Sequence, residues 1–140
     1  MADTANGMGG LIVPTIFQNL RAEIEILYGD LDGNFPNHPA DPLNPENLKD
    51  LTKRVLETSA DVGLAFDGDA DRVFLIDETG TPLSGSITTA IVAKSILESQ
   101  PNASIIYNLI CSRSVKETIT TTGGHAIRSR VGHSHIKQLM

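Results

Sequence analysis

Asp67, Asp69 and Asp71 alternate with Gly68 and Ala70, and Arg72 follows at once. Three neighbouring carboxylates repel strongly unless a cation sits among them. Their hard oxygens suit Mg²⁺, Ca²⁺ or Mn²⁺, and Mg²⁺ is the usual partner when a phosphate oxygen completes the coordination. The small residues between the acids let the backbone curl and aim all three inward. Arg72 carries the planar fork that grips phosphate with two parallel hydrogen bonds. A single Asp would read as a solvated turn, whereas this spacing behind an apolar run points to a divalent-cation site serving phosphoryl transfer.

The elements that must carry these residues decide between sharper alternatives. Val62–Phe66 and Val73–Ile76 are short apolar runs that read as strands on either side of the acidic loop. An EF-hand would place Asp67, Asp69, Asp71 and Glu78 at its positions one, three, five and twelve, but it needs Gly where Arg72 stands and helices where these strands stand. A haloacid-dehalogenase-type phosphatase would use Asp67 as nucleophile. Its pattern has Thr or Val where this chain has Asp71, and a third acid there favours metal binding. The phosphatase and a non-enzymatic cation-binding module remain as alternatives.

The rest of the chain supplies alternating strands and helices. Leu11, Ile12, Ile16, Phe17 and Leu20 recur at helical spacing after a Gly-rich turn, and Ile24, Ile26 and Tyr28 alternate as in a strand. Residues 29–44 form a long loop rich in Pro, Asn, Asp and Gly. Asn44-Pro45-Glu46 is a helix start, with Leu48, Leu51, Val55 and Leu56 as the buried stripe of the helix that follows. Further along, the reading gives a turn at 77–80, a helix over 87–97, a strand over 104–109 and a helix over 113–121. Gly123-Gly124 makes a turn, a strand covers 125–130 and a helix starts at Ser134. This order predicts an α/β fold, a mixed and mostly parallel layered sheet with helices. Almost no strand precedes the Gly-rich turn and the last helix has only begun at Met140, so both ends read as lying inside a larger protein.

Composition excludes other classes. The 140 residues carry a formal charge of −6 and no basic stripe, which argues against nucleic-acid binding. No apolar run is long enough to cross a membrane and no leader is evident, so a membrane role is not expected. Cys111 is the only cysteine, fits a reducing cytoplasm and reads as a small buried residue. His38 reads as structural. His133 and His135 have no Cys or acidic neighbour in sequence to make a zinc site.

The segment Gly-Leu-Ala-Phe-Asp-Gly-Asp-Ala-Asp-Arg resembles the metal loop of the α-D-phosphohexomutases. The likeness extends through Asp3–Gly10, Asp32–Pro39, Asn44–Leu48, Asn108–Arg113 and Arg128–Ser134, in order and at plausible spacing. It implies a four-domain enzyme that moves phosphate between C1 and C6 of a hexose through a phosphoserine and a bisphosphate intermediate. On this reading residues 1–80 are its second domain, with the first strand shortened, and residues 81–140 open its third. Asp67, Asp69 and Asp71 become Mg²⁺ ligands, and Arg72, Arg130 and His133 become catalytic candidates. The family commonly has Lys where Arg130 stands. A guanidinium does not give up its proton near neutrality, so Arg130 is expected to stabilise charge rather than act as acid or base. The Thr-Ala-Ser-His-Asn-Pro phosphoserine segment is absent from these residues. The expectation is therefore a fragment, inactive by itself, whose partners are a phosphosugar and the remaining domains of the parent chain.

Overall fold

A computed structural model describes all 140 residues. They form two compact units, Met1–Leu83 and Ser84–Met140.

In the first unit four strands lie in the order β2-β1-β3-β4. β1 (Ala2–Asp3) runs parallel to both β2 (Ile26–Leu27) and β3 (Val62–Phe66), and β4 (Val73–Asp77) returns antiparallel to β3. The second unit holds the parallel pair β5 (Ser104–Asn108) and β6 (His125–Ser129). The expected mixed, mostly parallel α/β architecture is what forms. No helix is long and apolar enough to cross a membrane.

Helix α1 (Gly9–Phe17) follows the turn after β1. A short 3₁₀ turn over Pro45–Leu48 leads into α2 (Lys49–Thr58). The Asn44 side chain accepts the Glu46 N–H at 3.1 Å, and Pro45 stands where no donor is required. α2 ends at Ser59, whose φ of 54° reverses the chain while the Ala60 N–H closes back on Val55 O. Leu51 and Val55 on its apolar face, with Leu48 from the preceding turn, pack against Ala65 and Ile76 of the sheet. The Asp77 carboxylate ties the turn after β4 by accepting the Thr79 and Thr81 N–H groups and the Thr79 hydroxyl. Those bonds hold its pKa below the usual carboxylate value, the Thr79 hydroxyl bond contributing most. The chain then adds Pro82 and Leu83 to the edge of β4.

In the second unit α3 (Gly85–Ser99) begins at Ser84, whose Oγ accepts the Ile87 N–H. α3, α4 (Arg113–Thr121) and the β5–β6 pair enclose Ala93, Leu97, Tyr107, Val115 and Ile119. Gly123, at φ +85°, turns the chain from α4 into β6. A short helix α5 (His133–Lys137) follows.

Four local expectations change. The strand expected over 23–28 shrinks to Ile26–Leu27. Tyr28 turns to φ 56°, and its carbonyl accepts both the Thr4 hydroxyl and the Asn6 N–H. In α1 the buried side is Gly9 and Val13, while Leu11, Ile12 and Ile16 are exposed and Leu20 lies past the helix end. Leu56 is also exposed, because it is displaced about 100° around the helix from Val55. Cys111 is half-buried, its Sγ donating to the Asn108 side chain.

The packing of α2 on β3 gives the first test. Leu51→Ala should cost about 2–5 kcal/mol, because the site is fully enclosed. A Cβ at Gly63 would lie 2.9 Å from Val55 Cγ2 and 3.2 Å from Ile76 Cβ. Gly63→Ala should therefore destabilise by about 1–3 kcal/mol through overpacking. Urea unfolding of each variant checks both; a midpoint unchanged from wild type in either would contradict this packing.

Candidate metal centre

The acidic loop connects β3 to β4 and leaves the sheet at the carboxyl end of β3. The same end of the parallel strands carries the turn after β1 and the long loop after β2. Ligands in parallel α/β sheets gather at this end. The loop curls tightly: Ala70 takes φ 59°, its N–H bonds to Asp67 O, and the Asp67 N–H faces Arg72 O at 3.4 Å. One carboxylate oxygen from each of Asp67, Asp69 and Asp71 falls within 4.8 Å of the others. Asp67 is buried, while Asp69 and Asp71 are exposed. The donor set suits a hard divalent ion, with the inner acid fixed and the outer two free to adjust.

Arg72 controls the inner acid. Its backbone N–H donates to Asp67 Oδ1 at 3.1 Å and its Nε donates to Oδ2 at 2.6 Å. The same Nε lies 3.4 Å from Asp71 Oδ1. Burial works to raise the Asp67 pKa, but the Arg72 backbone bond, the guanidinium bond and its charge together hold the carboxyl below its ordinary value. Asp67 is thus kept ionised. With both oxygens already accepting hydrogen bonds, it is poorly suited to nucleophilic attack. Asp67 and Asp71 in turn favour the charged form of Arg72, which remains largely exposed.

A second ring of contacts braces the loop. The Met8 N–H donates to Gly68 O at 2.9 Å. A Cβ on Gly7 would lie 2.7 Å from that same oxygen, so only glycine allows this approach. Phe35 and Ala40 of the long loop lie close by, 3.4 and 3.6 Å from where a Cβ on Gly68 would stand. Asn6, at φ 60°, joins these parts. Its side chain donates to Asp30 O and accepts from Asn37 Nδ2, and its carbonyl accepts the Asp32 N–H.

Sequence reasoning missed one polar pair beside this ring. Asp3 is 2% exposed and its Oδ2 lies 3.0 Å from His38 Nε2. An acid directly after a strand start and a histidine in a Pro-rich loop lie 35 residues apart, and no spacing signal links them.

The other candidates belong to the second unit. Arg130 follows β6 and is exposed. His133 opens α5 behind Gly132, whose φ is +123°. Arg130 lines a shallow depression with Arg128, Ser129 and His135, whereas His133 does not. The larger hollow of the first unit, lined by Met1, Phe17 and residues 58–62 among others, lies at the opposite ends of the strands from the acidic loop.

The family model "Phosphoglucomutase/phosphomannomutase, alpha/beta/alpha domain II" matches residues 1–80, and the corresponding domain III model matches residues 84–140. A phosphomannomutase/phosphoglucomutase of Pseudomonas putida is 41% identical over 140 residues, which is 100% of this chain and 30% of that protein. A phosphomannomutase of Methanocaldococcus jannaschii is 46% identical over 138 residues, covering 99% of this chain and 31% of the relative. The crystal structure of a phosphoglucomutase/phosphomannomutase family protein from Burkholderia thailandensis superposes with a TM-score of 0.90 at 36% identity, over 99% of this chain and 30% of that one. The chain therefore spans about 30% of the length of the relatives it matches. Fold, sequence and the order of the two matched segments agree, and the chain belongs to the phosphoglucomutase/phosphomannomutase family.

Proposed function

We propose that this chain supplies the cation-binding loop of a phosphosugar mutase, in which a phosphoryl group moves between C1 and C6 of a hexose. The observation that carries the reading is the cluster of three carboxylate oxygens within 4.8 Å, one buried and two exposed, at the carboxyl end of β3. Asp67, Asp69 and Asp71 would hold Mg²⁺, which, when bound, offsets charge on a transferring phosphoryl group. Asp67 anchors the set, held ionised by its Arg72 bonds. Arg72 is exposed enough to turn from the carboxylates to a phosphate and grip it in bidentate fashion. Arg130 would stabilise phosphate oxygens through its planar guanidinium fork. His133 would serve in the same active-site segment. The substrate class is a hexose phosphate, the setting a cytoplasmic metabolic enzyme, and the partners the further domains that such mutases possess.

Three outcomes test this. Mg²⁺ titrated into the 140-residue chain should bind, and Asp67→Asn, Asp69→Asn or Asp71→Asn should each weaken binding by more than about tenfold, read by calorimetry. Equal affinity in the triple variant would sink the assignment. Assayed by itself, the chain should turn over no hexose phosphate, since the phosphoserine segment is absent from its sequence; measurable mutase activity would refute that. The third outcome concerns acid. The folded pKa of Asp67 lies below its unfolded value, so its contribution to stability is fully present above the unfolded value and is lost as pH falls through the folded one. Urea midpoints between about pH 2 and 6 should accordingly fall more steeply in wild type than in Asp67→Asn.

A further inference from the structure

His38 makes two contacts that together count protons. Its Nδ1 lies 2.9 Å from Pro39 O and its Nε2 lies 3.0 Å from Asp3 Oδ2. A carbonyl oxygen only accepts, so Nδ1 must carry hydrogen. The Nε2–Oδ2 contact then needs one more proton, resident on either the ring or the carboxyl. Without it, a lone pair would face a carboxylate across 3.0 Å in a site where Asp3 is 2% exposed.

The position of this pair gives the proton a mechanical role. Asp3 ends β1 and its Oδ1 accepts the Ala5 N–H, so it fixes the start of the turn whose Gly7 and Met8 abut Gly68. His38 belongs to the loop whose Phe35 and Ala40 lie 3.4 and 3.6 Å from where a Cβ on Gly68 would stand. Asp3–His38 and Asn6–Asn37 join turn to loop side chain to side chain, beside the bonds Asn6 makes to Asp30 O and the Asp32 N–H.

We propose that Asp3 and His38 form a one-proton latch, and that release of this proton to solvent loosens the bracing of Gly68 between the turn and the long loop. His38 is then a positioning residue for the acidic loop. Resting on the cation reading above, the latch also makes Mg²⁺ affinity fall as pH rises through its midpoint, opposite to the ordinary effect of deprotonating carboxylate ligands.

The surroundings favour retention of the proton. Tyr28 meets the His38 ring edge-on at 5.4 Å, and its hydroxyl donates to Asp50 at 2.7 Å, so Tyr28 stays neutral with a pKa pushed up to about 12. Asp50 of α2 adds negative charge near Asp3, while β3 presents only Ala65 opposite it. Burial pushes the Asp3 carboxyl up, and the Ala5 N–H and His38 pull it back only in part. Within the long loop, Asp32 and Asp41 face their own backbone, bonding Asn34 and Leu43 N–H, and Asp30 contributes its carbonyl to Asn6.

Ring-nitrogen NMR of the metal-free chain between about pH 5 and 9 tests the latch directly. The expected result is a His38 Nδ1 that stays protonated throughout, with an Nε2–Asp3 proton lost in one step and the Gly68 amide shift moving at the same midpoint. His38→Gln keeps a donor toward Asp3 but cannot titrate, so the Gly68 step should vanish. The several-fold loss of Mg²⁺ affinity over the same pH range should vanish with it. A bare Nδ1, a Gly68 amide indifferent to the His38 step, or the same step persisting in His38→Gln would each overturn the proposal. Absence of Mg²⁺ binding at every pH overturns the cation reading instead, and the Gly68 step in the metal-free chain then decides the latch by itself.

Discussion

Mutual repulsion among three carboxylates held within 4.8 Å of one another is the constraint around which the first unit is organised. Such a cluster relaxes outward unless the backbone prevents it or positive charge offsets it. Both devices operate here. Arg72 supplies the charge through its bonds to Asp67, and the backbone is confined by Gly7 and Met8 on one side and Phe35 on the other. The parallel order β2-β1-β3 delivers all three connecting segments to one end of the sheet. The packing of α2 on β3 and β4 fixes the strands from which the acidic loop emerges.

Residues whose chemistry and periodicity are local could be read directly. Asp67, Asp69, Asp71 and Arg72 announce themselves by spacing, and they do come together. The flanking strands follow from short apolar runs, and the α2 start from Asn44, Pro45 and Glu46. The resemblance between the chain and phosphohexomutases also proved correct at the level of family.

What escaped was set by long-range contacts. The Tyr28 backbone turns out of a strand because Thr4 and Asn6, distant in sequence, claim its carbonyl. Leu11, Ile12 and Ile16 have the spacing of a buried stripe, yet α1 packs through Gly9 and Val13 instead. Periodicity reports that an apolar face exists but not which face a sheet covers. The Asp3–His38 pair had no sequence signal because its partners converge only after β1 and the long loop are placed.

One consequence follows from the position of the acidic loop between two antiparallel neighbours. β3 and β4 pair from Phe66 opposite Val73 to Val62 opposite Asp77, so the ligands sit at the closed end of a hairpin. Closing a connection this short costs little chain entropy, and hairpins form in microseconds, ahead of contacts distant in sequence. The carboxylate cluster is therefore carried by a local connection, and Arg72 brings its countercharge on the same hairpin. Its bracing by the Gly-rich turn and the long loop draws instead on partners that lie tens of residues away.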